Sequence, residues 1–423
     1  WKWEERGEAS RWGGFFVGLE EFDAAFFNVS PREAKSMDPQ HRMLLECAWE
    51  AVESGGWDPM ALKEVGEGVT GVYVGVASGD YASRMGSKEA MEFGSTGVAG
   101  STAAGRVSYV LGVTGTAISI DTACSSSLVS LIYGAKSVGR GEEWSALCFG
   151  VQALCNAATF LSFAKAGMLS PDGRCKTFDG RANGYVRGEG CGAVFIKRAE
   201  TGDVELGRVA GYAVNQDGRS NGLTAPNGPS QVRLIREALE RAGMEGSEVG
   251  MLEAHGTGTS LGDPIEVQAV AEALGRGRTR GAELVMGSAK TNYGHAETAA
   301  GVLGVLKAML CMERGAVAKH LHMRELNGYI GTGLMEGMRC VIPVEAVEWK
   351  GPERKVAGVS SFGFSGTNAH VVLQRGETLF GVRIEATRIR IHEKSETRLR
   401  VVCAAHANWL KELGVPWVAR DTK

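Results

Sequence analysis

Thr116–Leu128 reads TAISIDTACSSSL. Thr116–Asp121 predicts a strand that runs through a turn of small residues into a helix over Ser126–Val138. Cys124 then falls at or just before a helix N-terminus, where unpaired N–H groups and the helix dipole favour a thiolate. The thiolate, not the thiol, is the nucleophile. The small side chains of Ser125, Ser126 and Ser127 leave room for a substrate. Read by itself, the same cysteine is equally a small buried apolar residue.

The alternation of strand and helix continues outward from this point. Val69–Val76, Trp144–Gly150 and Cys191–Lys197 read as further strands. Asp38-Pro39 opens a helix, Asp as N-cap and Pro as first helical residue, and Gly55 closes it. Gln231–Ala242 is a helix that stops at Gly243. Asp263-Pro264 opens another in the same way, and a third runs from about Thr298 to Arg314. The pattern argues for an α/β fold. After Gln374 the composition turns to Arg, Glu and Thr, so a boundary is expected there.

Bulk composition narrows the function classes. The chain has 423 residues, 44% of them hydrophobic, enough for a large buried core. A net charge of −3, with acidic and basic residues interspersed, gives no basis for binding nucleic acid or an anionic membrane. No run of about eighteen apolar residues occurs, so no membrane span is expected. Nine cysteines without CxxC pairs point to a reducing, cytoplasmic compartment rather than a disulfide framework. The first residue is Trp1 rather than Met, which leaves room for an upstream targeting segment.

Three more segments carry chemistry. Glu253–Glu266, EAHGTGTSLGDPIE, sets His255 before glycines and the hydroxyls of Thr257 and Thr259, a loop suited to a polar ligand. It is no phosphate P-loop, because no Gly-Lys-Ser/Thr follows. Lys290–Gly301, KTNYGHAETAAG, gathers Lys290, Asn292, His295 and Glu297 ahead of a small-residue helix. Gly358–Leu373, GVSSFGFSGTNAHVVL, interleaves aromatics with glycine beside Asn368 and His370. Each alone also reads as ordinary structure: a satisfied histidine, a solvated Lys–Glu pair, a glycine-rich hairpin. A metal site built from His255, His295 and Glu253 lacks an HExxH or Cys/His cluster, so no metal is expected. No GxSxG elbow supports a serine hydrolase. His320 and His322 read as flanking a strand or loop.

Taken in order, the four segments resemble the ketosynthases of type I polyketide synthases. The resemblance extends through Arg11–Ala51, Ala166–Gly190 and Ala213–Gln231, and spans roughly residues 11 to 375. It implies a thiolase-like α/β fold of five layers, αβαβα, built from two similar halves and forming a homodimer. The halves are expected at 1–205 and 206–375, with 376–423 a linker or partly ordered tail. The family's first strand, ahead of the equivalent of Trp3, is missing from this sequence, which would expose a sheet edge.

The resemblance also implies roles. Cys124 accepts an acyl chain from phosphopantetheine on an acyl carrier protein; the domain itself binds no cofactor. A malonyl- or methylmalonyl-type extender loses its carboxylate, and its enolate attacks the Cys124 thioester. His255 and His295 support decarboxylation and stabilise the enolate oxygen. Backbone N–H groups of Cys124 and Phe364 form the oxyanion hole, and Phe364 gates the acyl pocket on a loop freed by Gly363 and Gly366. Thr257 and Thr259 hydrogen-bond the pantetheine arm. Lys290, partnered by Glu297, organises His295. Intact Cys124, His255, Lys290 and His295 favour an elongating enzyme over a silent structural partner. The alternatives are a fatty-acid synthase ketosynthase, which shares the chemistry, and an inactive structural fragment of a synthase, for which the missing first strand argues.

Overall fold

The computed structural model describes residues 12–65, 69–77, 79–85, 93–200, 203, 205–349 and 355–376. The tail expected from residue 376 lies, beyond Gly376, outside the described residues.

The first half runs α1 (Pro39–Ser54), β1 (Thr70–Gly75), α2 (Gly100–Leu111), β2 (Ala117–Ile120), α3 (Ser126–Arg140), β3 (Ser145–Gln152) and β4 (Gly190–Lys197). Its sheet has the order β2-β1-β3-β4, the first three parallel and β4 antiparallel. The second half runs β5 (Gly207–Gln216), α4 (Gly228–Ala242), β6 (Met251–Glu253), α5 (Gly262–Leu274), β7 (Leu284–Gly287), α6 (Ala300–Arg314), β8 (Cys340–Val341), β9 (Val356–Phe362) and β10 (Thr367–Arg375). Its sheet has the order β8-β7-β6-β9-β10-β5.

Alternation along the strands sorts side chains into layers. In β3, Leu147, Phe149 and Val151 join Val72 and Val74 of β1 against Leu44, Ala48 and Val52 of α1 and Val107 and Leu111 of α2. The intervening Ala146 and Cys148 face inward, where Leu128, Leu131 and Ile132 of α3 and Val305, Ala308 and Met312 of α6 pack between the sheets. Ala369, Val371 and Leu373 of β10 close that central layer from the other side. Val372 points outward to Leu234 and Ile235 of α4 and Val267 and Val270 of α5. The five layers are thus α1/α2, first sheet, α3/α6, second sheet and α4/α5.

Helix boundaries follow their caps. The Asp38 carboxylate accepts the Gln40 N–H at 2.9 Å, as read from the sequence. The helix expected from Gln231 begins three residues earlier, because Asn227 accepts the Ser230 N–H at 3.2 Å with Pro229 in the first turn. Asp263 is not an N-cap. Its helix starts at Gly262, and its buried carboxylate accepts N–H groups of Phe178 (2.8 Å) and Gly258 (3.1 Å). The segment expected to be helical from Thr298 opens instead as a 3-10 turn, Glu297–Ala299.

Candidate active site

Cys124 occupies the 3-10 turn Ala123–Ser125 between β2 and α3. The turn requires φ +55° at Ala123, uncommon for a residue with a Cβ. Hydroxyls hold it in place. Ser126 Oγ donates to the Ala123 carbonyl at 2.6 Å and accepts the Thr122 N–H at 2.9 Å. Ser125 Oγ donates to the Thr122 carbonyl at 2.9 Å, and Ser361 Oγ to the Cys124 carbonyl at 2.6 Å. Ser125, Ser126 and Ser127 are fully buried. Their hydroxyls satisfy backbone groups that a sharp buried turn would leave unpaired. Gly75 lets this turn rest on β1; a Cβ there would lie 2.5 Å from the Ser127 nitrogen.

Two imidazoles from the second half meet the thiol. His295 Nε2 is 3.1 Å from Cys124 Sγ. One ring nitrogen each of His255 and His295, together with Sγ, lie within 4.8 Å of one another. The His295 Nδ1 accepts the Glu297 backbone N–H at 3.0 Å, and the His255 Nδ1 accepts the Phe362 N–H at 3.3 Å. A nitrogen that accepts carries no proton, so in both neutral rings the proton sits on Nε2. The site therefore presents two fixed Nε2–H donors. Such donors oppose metal binding, since a ligating imidazole needs its bound nitrogen free and its other N–H facing an acceptor. Glu253 stands apart, its buried carboxylate accepting the Ala289 N–H (2.5 Å) and Lys307 Nζ (2.6 Å).

Electrostatics keep the centre neutral. Burial pushes the Cys124 thiol up to about 12, and Glu297 adds to this, while Lys290 and the Phe364 and Cys124 N–H groups act against it. The helix N-terminus read from the sequence therefore does not outweigh desolvation in the resting protein. Burial, aided by Lys290, holds both His255 and His295 well below the ordinary imidazole value. Lys290 is itself buried and pulled down by desolvation, opposed by Glu253, Glu266 and Cys124.

The pairing expected between Lys290 and Glu297 is replaced by another. Glu297 takes a bidentate pair from Arg187, with Nε to Oε1 at 2.5 Å and Nη2 to Oε2 at 2.8 Å. Thr257 and Thr259 lie half-buried on the loop after His255. The Phe364 side chain is exposed, while its N–H reaches the Cys124 sulfur. Gly363 and Gly366 each meet a contact or turn requirement. A Cβ on Gly363 would lie 2.4 Å from the Thr122 oxygen, and Gly366 turns the β9–β10 hairpin at φ +88°. His370 is buried and bonded through Nδ1 to Ser360 Oγ at 2.9 Å, away from the thiol group. His320 is likewise buried, accepting the Ser288 N–H and bonding the Thr177 carbonyl.

Sequence reasoning missed Glu266, Asp263 and Arg187. The Glu266 carboxylate accepts the N–H groups of His255 (2.7 Å) and Gly256 (2.8 Å) and so fixes the histidine's backbone. Burial raises Glu266 to about 7 and Asp263 to about 6, against the backbone donors that favour their charged forms. Both stand in the quoted segment GDPIE, where paired acids in a buried apolar helix start were the available signal.

Known proteins of one family resemble this chain along most of its length. Residues 4–202 match the family model "Beta-ketoacyl synthase, N-terminal domain", and 206–324 match "Beta-ketoacyl synthase, C-terminal domain". A phenolphthiocerol/phthiocerol polyketide synthase protein of Mycobacterium tuberculosis is 41% identical over 97% of this chain and 22% of its own length. Erythronolide synthase EryA3 of Saccharopolyspora erythraea is 45% identical over 88% of this chain and 12% of its own. The chain thus spans about a fifth or less of these relatives. Among solved structures, the ketosynthase from module 6 of the bacillaene synthase of Bacillus subtilis superposes with a TM-score of 0.83 at 35% identity, over 94% of this chain and 68% of that one. An oxazolomycin ketosynthase domain from Streptomyces albus gives 0.85 at 34% identity, over 95% and 71%.

Proposed function

The chain belongs to the β-ketoacyl synthase family, and on that premise we propose that it performs decarboxylative condensation in polyketide chain elongation, with Cys124 holding the acyl chain. The observation that carries this reading is Cys124 Sγ at 3.1 Å from a His295 Nε2 locked as a donor.

In the first step Sγ attacks the thioester carbonyl of an acyl group on phosphopantetheine. The Sγ–C bond forms, the C–S bond to pantetheine breaks, and the thiol proton ends on the departing pantetheine sulfur. The N–H groups of Phe364 and Cys124 hold the carbonyl oxygen as it gains charge. In the second step a malonyl- or methylmalonyl-type thioester loses CO2, and the electron pair passes to the enolate. His255 and His295 donate their Nε2–H groups to its oxygen; one such fixed donor contributes about 3 kcal/mol. The enolate carbon then attacks the Cys124 thioester, the C–C bond forms, and Sγ leaves to be reprotonated. Burial, aided by Lys290, keeps both rings neutral, and Glu266 anchors His255.

An acyl carrier protein delivers both substrates in this reading. Thr257 and Thr259 hydrogen-bond the pantetheine arm. Beside their loop opens a cavity of about 580 Å³ whose lining holds Arg174, Arg181 and Arg324 beside the Lys176–Asp172 ion pair; its excess of cations suits the arm's phosphate. The Gly184 N–H donates to the Gly258 carbonyl at 3.0 Å, which ties that wall to the threonine loop. The open edge of β2, where Ala117 and Ile118 are exposed, suits edge-to-edge pairing of two copies into a homodimer. The boundary between halves falls near residue 205, between β4 and β5, and a cytoplasmic setting fits the free thiols.

Cys124→Gln is the test. It removes the nucleophile while leaving both donors, so condensation falls below detection and malonyl carrier protein is still decarboxylated. Condensation surviving in this variant would require a different nucleophile and end the proposal.

A further inference from the structure

Arg187 has no step of its own in the condensation, yet the structure ties it to the reacting histidine by two routes. Through the backbone, His295 is clamped on both sides by Arg187's neighbours. Its N–H donates to the Val186 carbonyl at 2.7 Å, and its carbonyl accepts the Gly188 N–H at 2.8 Å. Through the side chain, Arg187 grips both oxygens of Glu297. Glu297 sits at φ +41°, a backbone setting that a residue with a Cβ rarely holds unaided. Its N–H is the group that occupies His295 Nδ1.

The guanidinium is built into place. Arg187 is 2% exposed, with Cζ 4.6 Å from the Phe160 ring centre and 5.2 Å from that of Phe163. Its Nη1 has no hydrogen-bond partner among the described residues. A buried guanidinium that leaves one nitrogen unpaired, while committing the others to a single carboxylate, is placed for that carboxylate.

We infer that Arg187 is a positioning residue: by fixing Glu297 in its left-handed conformation it holds the Glu297 N–H on His295 Nδ1 and so keeps the Nε2–H donor aimed at Cys124. This inference deepens the condensation reading and rests on it for its kinetic consequence. The tautomer of His295 is independent of that reading. The backbone clamp survives loss of the side chain, which favours a folded Arg187→Gln protein.

The experiment compares wild type, Arg187→Gln and the double variant Arg187→Gln/Glu297→Gln in the full chain. Decarboxylation of malonyl N-acetylcysteamine thioester is measured beside the ring-nitrogen signals of 15N-labelled histidine. Arg187→Gln buries an unpaired carboxylate, so kcat falls on the order of 100-fold with KM little changed, and His295 loses its fixed Nε2–H signature. The double variant replaces the ion pair with a neutral amide pair. It restores the signature and brings kcat to within about tenfold of wild type, as expected for coupled neighbours. Wild-type kcat in Arg187→Gln, an unaltered His295 signature beside lost activity, or a double variant as slow as the single one would each overturn the assignment. A wild-type chain that fails to decarboxylate the thioester counts against the condensation reading alone, because the nitrogen signals still decide the role of Arg187.

Discussion

The two halves of the molecule use one device for different ends. The four strands of the first sheet, β2-β1-β3-β4, run in the same order as four of the six in the second, β7-β6-β9-β10. In each, the strand in the β2/β7 position leads to a 3-10 turn and then a fifteen-residue helix between the sheets. The turns match in detail. Ala123 at φ +55° corresponds to Glu297 at +41°, and both helices end in Arg followed by a left-handed glycine, Gly141 or Gly315. Cys124 then corresponds to Thr298, whose buried hydroxyl is spent on the Val151 carbonyl at 2.5 Å. The first half runs directly from strand to the turn that carries Cys124. The second interposes Ser288–Ala296, and that insertion carries Lys290 and His295 in front of the same turn. The difference shows how one supporting turn serves both sides: it presents a thiol in one half, and in the other its leading N–H holds a ring.

The largest effect separating the halves is their response to pH. Burial raises the Cys124 thiol to about 12 and drives His295 and His255 well below 6.5. The reactive thiolate is therefore gained as pH rises, while the neutral rings are lost only as pH falls well below the ordinary imidazole value. Iodoacetamide labelling of Cys124 should climb about tenfold per pH unit from roughly pH 6 to 10, ahead of the buried Cys148, Cys155, Cys175, Cys311 and Cys340. Decarboxylation by a Cys124→Gln protein should stay flat over roughly pH 6 to 9. Peptide mapping by mass spectrometry reads the first. A labelling plateau near pH 8 would show that the thiol does not feel the burial assigned to it.

A smaller effect tests the crossing of the two central helices. Gly301 of α6 meets Leu128 of α3; a Cβ there would lie 2.8 Å from the Leu128 Cβ and 2.9 Å from its nitrogen. The matching position in α3 is Ser127, whose hydroxyl accepts the Val302 N–H at 3.0 Å. Gly301→Ala should separate the helices, costing about 1–3 kcal/mol in denaturant unfolding and slowing every step that needs Cys124 near His295. Unchanged stability would mean that the helices do not bear on one another at this point.

The sequence displayed the parts of this site that are local. A strand, a turn of small residues and a helix could be read around Cys124, and the Asp38 cap followed from two adjacent residues. The internal repeat could not be read, because the matched turns share backbone angles rather than side chains: Ala123-Cys124-Ser125 against Glu297-Thr298-Ala299. Arg187 was equally hidden, since its partner lies 110 positions away and neither residue is unusual in composition. The role of the serine hydroxyls was hidden for a related reason. Small hydroxyls suit a substrate pocket and a buried turn alike, and only the carbonyls they meet distinguish the two.

The smallest effect lies at the far end of the same helix pair. Gly139 is exposed in the last turn of α3, and a Cβ there would meet nothing within 4 Å. Its counterpart in α6 is Glu313, so the matched helix carries a side chain at this position. The Gly139 carbonyl accepts Arg198 Nη2 at 2.8 Å, a bond that does not depend on the side chain. Gly139→Ala reduces the freedom of the unfolded chain and adds no clash, so stability should rise by about 0.5–1 kcal/mol. Thermal or denaturant unfolding measures it. A destabilised Gly139→Ala protein would mean that the end of α3 is held by something its partner helix lacks, and the correspondence would then stop at the turn instead of running the length of the helix.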